Sequence, residues 1–505
     1  MHHSPKSPWK SRPRSCWERL ASPSAGCRVV VLTAAVAAMT AAAALSPRTV
    51  LSQTAAAARA ADGAGRSHWG LVPPPADSVR AVFAARSPAA WTYPLRVPYY
   101  AVVAPLGLAF DGVGAGVAAL DESGVVAYLQ RLLGPRTGPF GLTLNFQAGG
   151  LDGFGGGVTA YHDAFFGERN RFKARVFGSV NETVKTHVGW LFPRGEDSRF
   201  ELGAGYRLRP RAQYFGLGPR ATERDAAGDP QESHYTQETT WAGATHMQGL
   251  GGGFGLETRG LFSASGARDA RGDDDDAAIQ VVHPDDVARP GFGFRDRSDG
   301  VSLGATLVHD TVAEDGRPEG GGLRRLHVDY FTAVDRHDFS YWTMRAEAQQ
   351  FLPLWFSRRS LALRGVLGWI EEESGTLPFQ RLYTNDDPDL FRGYRDFRWR
   401  DMGLAALTVE YRWPVWADGA ATGPGVDAYL LADFGQVFGE FDELALDLMT
   451  ASYGGGLRLL GGGGFVGRLE VAASDEETVF RLKADQVFLY DKRGLYHGRN
   501  PIPLR

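Results

Sequence analysis

The stretch LAALTVEYRWPV, residues 404–415, alternates between two kinds of side chain. One set of alternate positions is polar or charged: Thr408, Glu410 and Arg412. The set between them is apolar or aromatic: Leu407, Val409, Tyr411 and Trp413. A period of two residues predicts a β-strand whose two faces meet different surroundings.

About sixteen segments of this kind follow one another from residue 140 onward, separated by Gly, Asp, Asn and Pro. They are residues 140–147, 154–163, 171–180, 182–192, 199–208, 234–247, 254–263, 301–310, 323–334, 341–354, 360–370, 404–415, 427–438, 451–460, 464–474 and 479–490. Most are close to the roughly nine to eleven residues that a transmembrane strand needs. Bacterial barrels also have even numbers of strands.

The two-faced strands have two interpretations. A large soluble β-protein such as a propeller would bury the apolar faces, but no repeat of blade length is visible. In a membrane barrel, lipid takes the apolar faces, a wet lumen takes the charges, and closure removes the sheet edges. The pattern predicts an all-β fold, a transmembrane antiparallel β-barrel of about 16 strands.

Composition supports export to a membrane. The chain of 505 residues has 64 Gly, 11% aromatic residues and a mean hydropathy of -0.23, which is too polar for a helical membrane protein. Residues 1–60 contain a basic segment, the apolar run Val29–Leu45 and small-residue sites, which predicts a cleaved secretory signal peptide. A single transmembrane anchor is the alternative. Both cysteines, Cys16 and Cys27, lie in this segment, so disulfides are not expected in the exported chain.

Charge argues against nucleic acid as a partner. Residues 1–60 hold eight Lys or Arg and one Asp or Glu, so 46 basic and 57 acidic residues remain, a formal net charge of −11. An acidic chain without a basic stripe is a poor nucleic-acid binder.

The predicted division of the chain has four parts. Residues 1–60 are the signal peptide, 61–136 a Pro/Ala-rich periplasmic arm or plug with helical character, 137–490 the barrel and 491–505 a C-terminal tail. Phe488 is the expected aromatic end of the last strand, because outer-membrane barrels usually end on such a residue.

Loops and motifs suggest no enzyme and no cofactor. Asp273, Asp274, Asp275 and Asp276 are weak calcium candidates in a long acidic loop, and a solvated loop is the favoured interpretation. HExxH and GxxxxGK[ST] motifs do not occur, and the histidines have no paired nucleophile in sequence. The short joins at Asn181 and 461–464 are interpreted as periplasmic turns.

Residues 377–416 and 426–438 carry a family resemblance. LFRGYRD, TVEYRWPV and LADFGQVF, in this order and spacing, resemble the C-terminal barrel of the BamA/TamA superfamily, the bacterial surface antigen family. The resemblance covers roughly residues 137–490 and implies a bacterial outer-membrane protein. It also implies that FRGYRD lies in the sixth extracellular loop and folds into the lumen. Family members normally carry POTRA domains, a pattern that residues 61–136 do not show.

The resemblance also implies a lumenal lock. Arg392, Gly393 and Tyr394 match the loop motif, and Glu410 and Asp433 match its acidic partners on the following strands. An arginine fork can hold two carboxylates, which supports the assignment. The alternative is that any wide barrel fills its lumen with arginine–carboxylate pairs.

The expected function is assembly or translocation of outer-membrane components. The expected partners are outer-membrane lipids including lipopolysaccharide, and client outer-membrane proteins. Two alternatives stay open: a passive porin-like channel, and a membrane anchor for a hydrolase partner.

Overall fold

The structure, a computed structural model, describes thirteen parts of the chain. They are residues 140–148, 152–167, 170–194, 197–219, 230–271, 277–312, 318, 320–334, 339–354, 359–385, 390–417, 425–461 and 464–483. The predictions for the signal peptide, the arm, the tail, Phe488 and the calcium candidates Asp273–Asp276 lie outside these residues.

Sixteen strands make one large sheet, and two short strands lie in a loop. The large sheet contains β1 (Phe140–Gln147), β2 (Gly155–His162), β3 (Arg171–Ser179), β4 (Val184–Arg194), β5 (Ser198–Tyr214), β6 (Ser233–Gly251), β7 (Phe254–Arg268), β8 (Arg297–Asp310), β9 (Gly321–Ala333), β10 (Ser340–Pro353), β11 (Ser360–Ser374), β14 (Gly403–Ala417), β15 (Gly425–Phe438), β16 (Thr450–Gly461), β17 (Gly464–Ala473) and β18 (Thr478–Lys483). The separate pair is β12 (Tyr383–Thr384) with β13 (Arg400–Asp401).

In the parts of the chain that the structure describes, helical structure is confined to short pieces in the joins. Two single-turn helices, α1 (Ile279–Val282) and α2 (Pro284–Val287), lie between β7 and β8. Three 3-10 turns are Phe379–Arg381, Phe441–Glu443 and Leu446–Leu448. Within the described parts of the chain, no helix is both long and apolar enough to cross a membrane.

Each strand of the large sheet pairs antiparallel with its neighbours in the chain. Every one of the sixteen segments predicted from alternation overlaps one strand, so the predicted all-β antiparallel architecture is confirmed. Alternation succeeds because side chains of successive strand residues point to opposite faces.

The two faces of the sheet differ as the pattern requires. Thr408 of β14 pairs with Arg364 of β11 and with Asp433 of β15, and all three side chains are buried on one face. This face is called the inner face below. The opposite, outer face exposes apolar side chains, for example Val176 (59% exposed) and Leu407 (46% exposed). A lipid-facing surface accounts for this distribution.

The seam between β1 and β18 differs from the full closure that the sequence analysis expects. Within the described residues the two sides meet at one pair, in which Ala148 and Leu482 exchange backbone hydrogen bonds of 3.0 and 2.9 Å. In antiparallel register the partners of β1 would be residues 483–490, of which 484–490 lie outside the described residues. Within the described residues the seam is therefore one pair and not a continuous ladder.

Joins at the two rims of the sheet have unequal lengths. One rim, the loop rim, carries the long joins 215–232, 269–296 and 375–402. The opposite rim, the turn rim, carries short joins such as 252–253. The prediction that Asn181 and 461–464 mark turns on one side is wrong, because strands alternate in direction and Asn181 follows β3 at the loop rim.

The main buried cluster lies at the loop rim, where joins pack against the inner face. Its aromatic members include Tyr214, Tyr235, Phe292 and Phe379. Phe292 and Phe379 stack with ring centroids 4.4 Å apart, and Tyr235 meets Phe379 edge-on at 5.0 Å. The cluster fixes the start of the join 375–402 against β5 and β6.

Candidate functional site

The join 375–402 between β11 and β14, called the long loop, carries the FRGYRD motif. Its base is held by the β12–β13 ladder, in which Tyr383 pairs with Asp401 and Thr384 with Arg400. Phe391 and Phe397 adopt positive φ angles of 55° and 62°, which turn the chain sharply on either side of the motif. The ladder and the two turns present residues 390–399 as a compact tip.

Arg392 is the most enclosed charge of this tip, with 0% of its surface exposed. Its Nε and Nη2 donate to the two carboxylate oxygens of Asp433, both at 2.8 Å. The backbone N–H of Arg392 donates to the same carboxylate at 3.0 Å. Nη1 donates to Glu410 at 2.6 Å. The fork therefore holds two carboxylates from two strands, β14 and β15, with the bidentate geometry that favours arginine over lysine.

Further charges surround this triad on the inner face. Arg412 donates to the second oxygen of Glu410 at 2.9 and 2.7 Å. Glu470 of β17 lies 3.6 Å from Arg392 and accepts from Tyr429 at 2.8 Å. Burying ionised groups is expensive unless each is paired and hydrogen-bonded. The network meets that condition across three strands, β14, β15 and β17.

Gly393 lies where the tip touches the last strands. A Cβ placed there would lie 2.6 Å from the Cβ of Ser452 and 2.8 Å from the backbone carbonyl carbon of Ala473. Its own carbonyl oxygen accepts from the Ser474 hydroxyl at 2.8 Å. Glycine is therefore required by the close approach of the loop to β16 and β17.

Tyr394 connects the tip to the join between β17 and β18. Its hydroxyl donates to Asp475 at 2.6 Å. Burial and the nearby Asp475 carboxylate raise the pKa of the Tyr394 hydroxyl above its ordinary value, so it stays a proton donor. The join, residues 474–477 with sequence SDEE, is called the SDEE turn below.

The SDEE turn also binds two arginines of the long loop. Arg398 is buried and makes a bidentate pair with Glu476, both hydrogen bonds being 2.8 Å long. Arg395 donates to Glu477 at 3.1 Å and also pairs with Glu232 of the join 215–232. The Arg395 side chain is 43% exposed. Three acids of one turn thus hold three residues of the loop.

Arg400 lies at the base of the loop rather than in its tip. It donates to the carbonyl oxygen of Phe379 at 2.8 Å and to the Tyr235 hydroxyl at 3.3 Å. Its guanidinium lies 5.2 Å from the Phe379 ring centroid, at cation–π distance. Arg400 therefore joins the loop to the aromatic cluster at the loop rim.

Arg481 of β18 is a site residue that the sequence analysis misses. It donates to the backbone carbonyl oxygens of Arg392 and Tyr394 and to the carboxylate of Asp396. Strand alternation places Arg481 on the inner face beside Glu470, its register partner on β17. Alternation along β18 predicts the face on which Arg481 lies, but the sequence does not indicate which groups a single arginine on a strand will contact.

Asp401 in β13 faces other acids at the loop rim. Its carboxylate accepts from the backbone N–H of Met402 at 2.8 Å, and Glu443 of the 3-10 turn and Glu440 just before that turn lie nearby. Burial, together with these like charges, raises the pKa of Asp401 from 3.8 to about 7. This base of the loop is thus sensitive to pH near neutrality.

In the parts of the chain that the structure describes, no group of three or more His, Cys, Asp or Glu side chains is arranged to hold a metal ion. The inner-face histidines lie apart. His187 packs on Trp241, and His327 contacts Thr306 and Arg259. These contacts place each histidine in the wall of the sheet.

Comparison with known proteins identifies the barrel. Residues 292–472, which span β8 to β17 and the long loop, match the family described as the Omp85 superfamily domain. This part of the chain is similar to an Omp85 barrel domain. The predicted family resemblance and the predicted bacterial outer-membrane location are thereby confirmed.

Three solved structures are similar to the chain at low sequence identity. They are BamA from Haemophilus ducreyi lacking POTRA domains 1–3 (13% identity, TM-score 0.49, 68% of this chain and 69% of that chain), CdiB from Acinetobacter baumannii (13%, 0.42, 68% and 58%) and CdiB from Escherichia coli (12%, 0.45, 70% and 69%). No curated protein matches the chain.

The residues predicted from the resemblance lie together in the Omp85 domain. Arg392 contacts both Asp433 and Glu410, and Gly393 and Tyr394 contact the strands and the turn that follow. The role of this cluster as a lock stays a prediction. Glu470, Arg481 and the SDEE turn complete the cluster, and no sequence motif marks them.

Proposed function

We propose that this Omp85 barrel assembles or translocates outer-membrane components, with the long loop folded into the lumen as a structural lock. The observation that carries the proposal is the buried fork of Arg392, which joins the loop to Asp433 and Glu410 on the inner face. A loop held in this way fixes the inside of the barrel at the strands that lead to the seam.

The lock is stable because separating its buried ion pairs costs free energy. If the loop left, Asp433 and Glu410 would keep their positions on β15 and β14 and lose the fork of Arg392. Removing one partner of a buried ion pair typically costs about 3–5 kcal/mol, because an uncompensated charge stays behind. The loop therefore has a strong preference for its inward position.

Partners follow from the same proposal. Client outer-membrane proteins are the proposed substrates, and lipopolysaccharide and other outer-membrane lipids form the proposed surroundings of the outer face. Residues 61–136 are proposed as a periplasmic arm or plug on the same chain. The seam at Ala148 and Leu482 is the proposed point of contact with a client, since the strand edges of an opened seam can bind other strands.

Depletion of the protein in its host tests the assembly role. We expect the levels of other outer-membrane proteins to fall, and to recover when the wild-type chain is supplied. Complementation with Arg392→Ala is expected to fail, whereas Arg395→Ala, which alters an exposed arginine of the same loop, is expected to succeed. Unchanged levels of all outer-membrane proteins after depletion would contradict the proposal.

Single-channel recording separates the proposal from a passive pore. A plugged barrel is expected to show small, fluctuating conductance that increases in the Arg392→Ala variant. A large and steady conductance that this substitution leaves unchanged would favour the porin-like alternative. Phospholipid hydrolysis by the membrane-bound protein with its co-purifying partners would favour the hydrolase anchor.

A further inference from the structure

A cavity of about 200 Å³ lies at the loop rim, where the join 269–296 meets the first residues of the long loop. Exposed residues of its wall form the mouth, and they include Gly291, Arg297 and Thr376. Buried residues form the floor, and they include Phe339, Pro378 and Gln380. The long joins of outer-membrane barrels are extracellular, so this cavity opens to the outside of the cell.

Close packing between the join and the long loop shapes the cavity. Gly291 and Gly293 both have φ angles of 79°, and a Cβ at Gly291 would lie 2.5 Å from the Cβ of Thr376. Phe292, between the two glycines, stacks on Phe379 in the aromatic cluster. The backbone N–H of Phe379 also donates to the carbonyl oxygen of Phe292 at 3.0 Å. The walls are therefore fixed in advance, as those of small-molecule sites usually are.

Gln380 in the floor has a buried carboxamide without a partner. The residue is 4% exposed, and neither its Oε1 nor its Nε2 makes a hydrogen bond within the part of the chain that the structure describes. Its neighbours in the 3-10 turn differ, because Phe379 packs in the aromatic cluster and Arg381 donates to Ser263 and to the carbonyl oxygen of Ser298. Burial of an amide without hydrogen bonds is unfavourable. The terminal torsion of glutamine is soft, so the carboxamide can turn toward a group that enters the cavity.

The chemistry of the carboxamide restricts the ligand. An amide presents an N–H donor and a C=O acceptor side by side. A ligand that satisfies both must offer an acceptor and a donor on neighbouring atoms. Hydroxyl groups on adjacent carbons of a sugar ring do so, because each hydroxyl both donates and accepts.

The rest of the cavity suits a neutral ring. Phe339 and Pro378 provide an apolar surface against which the C–H face of a sugar can pack. Arg297 at the mouth is already paired with Asp299 at 2.9 Å, and Asp296 beside it carries the opposite charge. An anion or a cation would therefore meet offset charges, whereas a neutral ligand meets no such opposition.

We propose that this cavity is a binding site for a saccharide, which the carboxamide of Gln380 holds through two neighbouring hydroxyl groups. The C–H face of the sugar packs against Phe339 and Pro378. Lipopolysaccharide of the same membrane and a glycan from outside the cell both supply this chemistry. The inference does not depend on whether the barrel assembles proteins.

Saturation-transfer NMR on the purified full chain tests binding. The protein is kept in lauryldimethylamine oxide, a detergent without a sugar headgroup, and the probes are the methyl glycosides of glucose, galactose, mannose and N-acetylglucosamine. We expect the wild type to transfer saturation to at least one probe. Gln380→Leu keeps a side chain of similar size without hydrogen-bonding groups. It should bind that probe at least about tenfold more weakly, a loss of ~1.4 kcal/mol.

Gln280→Leu is the matched control for this substitution. Gln280 lies in α1 of the same join, and its Oε1 is also buried without a partner among the described residues, but the residue lies outside the cavity wall. This variant should bind the probe like wild type. Heat-modifiability gels supply a second readout. Gln380→Leu should unfold at the same temperature as wild type or a higher one, because it removes a buried amide without a partner.

Two results would overturn the proposal. One is the absence of saturation transfer from the wild type to all four probes, and the other is equal binding by the wild type and Gln380→Leu. Repeating the experiment in phosphatidylcholine nanodiscs with and without lipopolysaccharide distinguishes the two sources of the sugar. Loss of the probe signal in the presence of lipopolysaccharide assigns the cavity to a sugar of its own membrane. An unchanged signal assigns the cavity to a glycan from outside.

Discussion

Arg481 of β18 donates a hydrogen bond to the backbone carbonyl oxygen of Arg392, so the last strand of the sheet holds the tip of the long loop directly. A second hydrogen bond, 3.0 Å long, joins Arg481 to the carbonyl oxygen of Tyr394. The neighbouring residue of the same strand, Leu482, makes the seam pair with Ala148. Adjacent residues of one short strand thus hold the long loop, through the Arg481 side chain, and the seam, through the Leu482 backbone.

Replacing Arg392 by alanine is predicted to destabilise the folded barrel by about 3–5 kcal/mol, because Asp433 and Glu410 lose a buried partner. Arg395→Ala is predicted to cost less than about 1 kcal/mol, since exposed ion pairs contribute little. Heat-modifiability gels, which compare the temperature at which each variant unfolds, measure the difference. Arg392→Lys tests the fork itself, and equal effects of Arg392→Ala and Arg395→Ala would refute the lock.

Gly393→Ala is predicted to push the loop tip away from β16 and β17. The new Cβ would lie 2.6 Å from Ser452 and 2.8 Å from the backbone of Ala473. Overpacking of this kind typically costs ~1–3 kcal/mol. Protease sensitivity of the long loop in intact outer membranes should rise. Gly178→Ala, where nothing lies within 4 Å of the added Cβ, is the control and should leave the loop protected.

A disulfide across the seam tests whether the seam must open. Ala148 and Leu482 exchange both backbone hydrogen bonds, which brings their Cα atoms near the roughly 5.5 Å that suits a disulfide. Cys16 and Cys27 are the natural cysteines, and both lie in the predicted signal peptide. The double variant Ala148→Cys/Leu482→Cys is predicted to lose assembly activity when oxidised and to regain it under reductant. Activity that persists in the fully oxidised protein would count against seam opening.

The base of the long loop is predicted to be more stable in mild acid. The folded pKa of Asp401, about 7, lies above its ordinary value of 3.8, so between these pH values the folded chain binds a proton that the unfolded chain does not. Stability from this group therefore falls as pH rises through that window, by at most ~1.4 kcal/mol per pH unit. Unfolding temperatures at pH 5.5 and 8 should differ less in Asp401→Asn, which also relieves repulsion from Glu440 and Glu443. A slope unchanged by this substitution would contradict the assignment.

Alternation of polarity predicted the strands well because lipid and lumen act on every residue of a two-faced strand. The same pattern could not predict the seam, since pairing between the first and last strands leaves no local signal. It also assigned the turn at Asn181 to the wrong rim, because short polar joins at the two rims have the same composition.

Site residues could be predicted from the sequence where they belong to a recognisable motif. Arg392, Glu410 and Asp433 belong to recognisable segments, and the structure places them in contact. Asp475, Glu476 and Glu477 resemble any solvated turn in sequence. Their role depends on the three-dimensional approach of the long loop, which no spacing along the chain encodes.

The order of the strands has a consequence for how the chain acquires its fold. Every ladder of the large sheet joins strands that follow one another along the chain, apart from the short β12 and β13 between β11 and β14, so successive hairpins can form by local closures. The Ala148–Leu482 pair is the exception among the described strand pairs, because it joins the two ends of the sheet and needs the largest closure entropy. Folding thus separates into many local pairing steps and one late step that joins the seam. A chain that has formed its hairpins but not the seam is a curved sheet with two free edges.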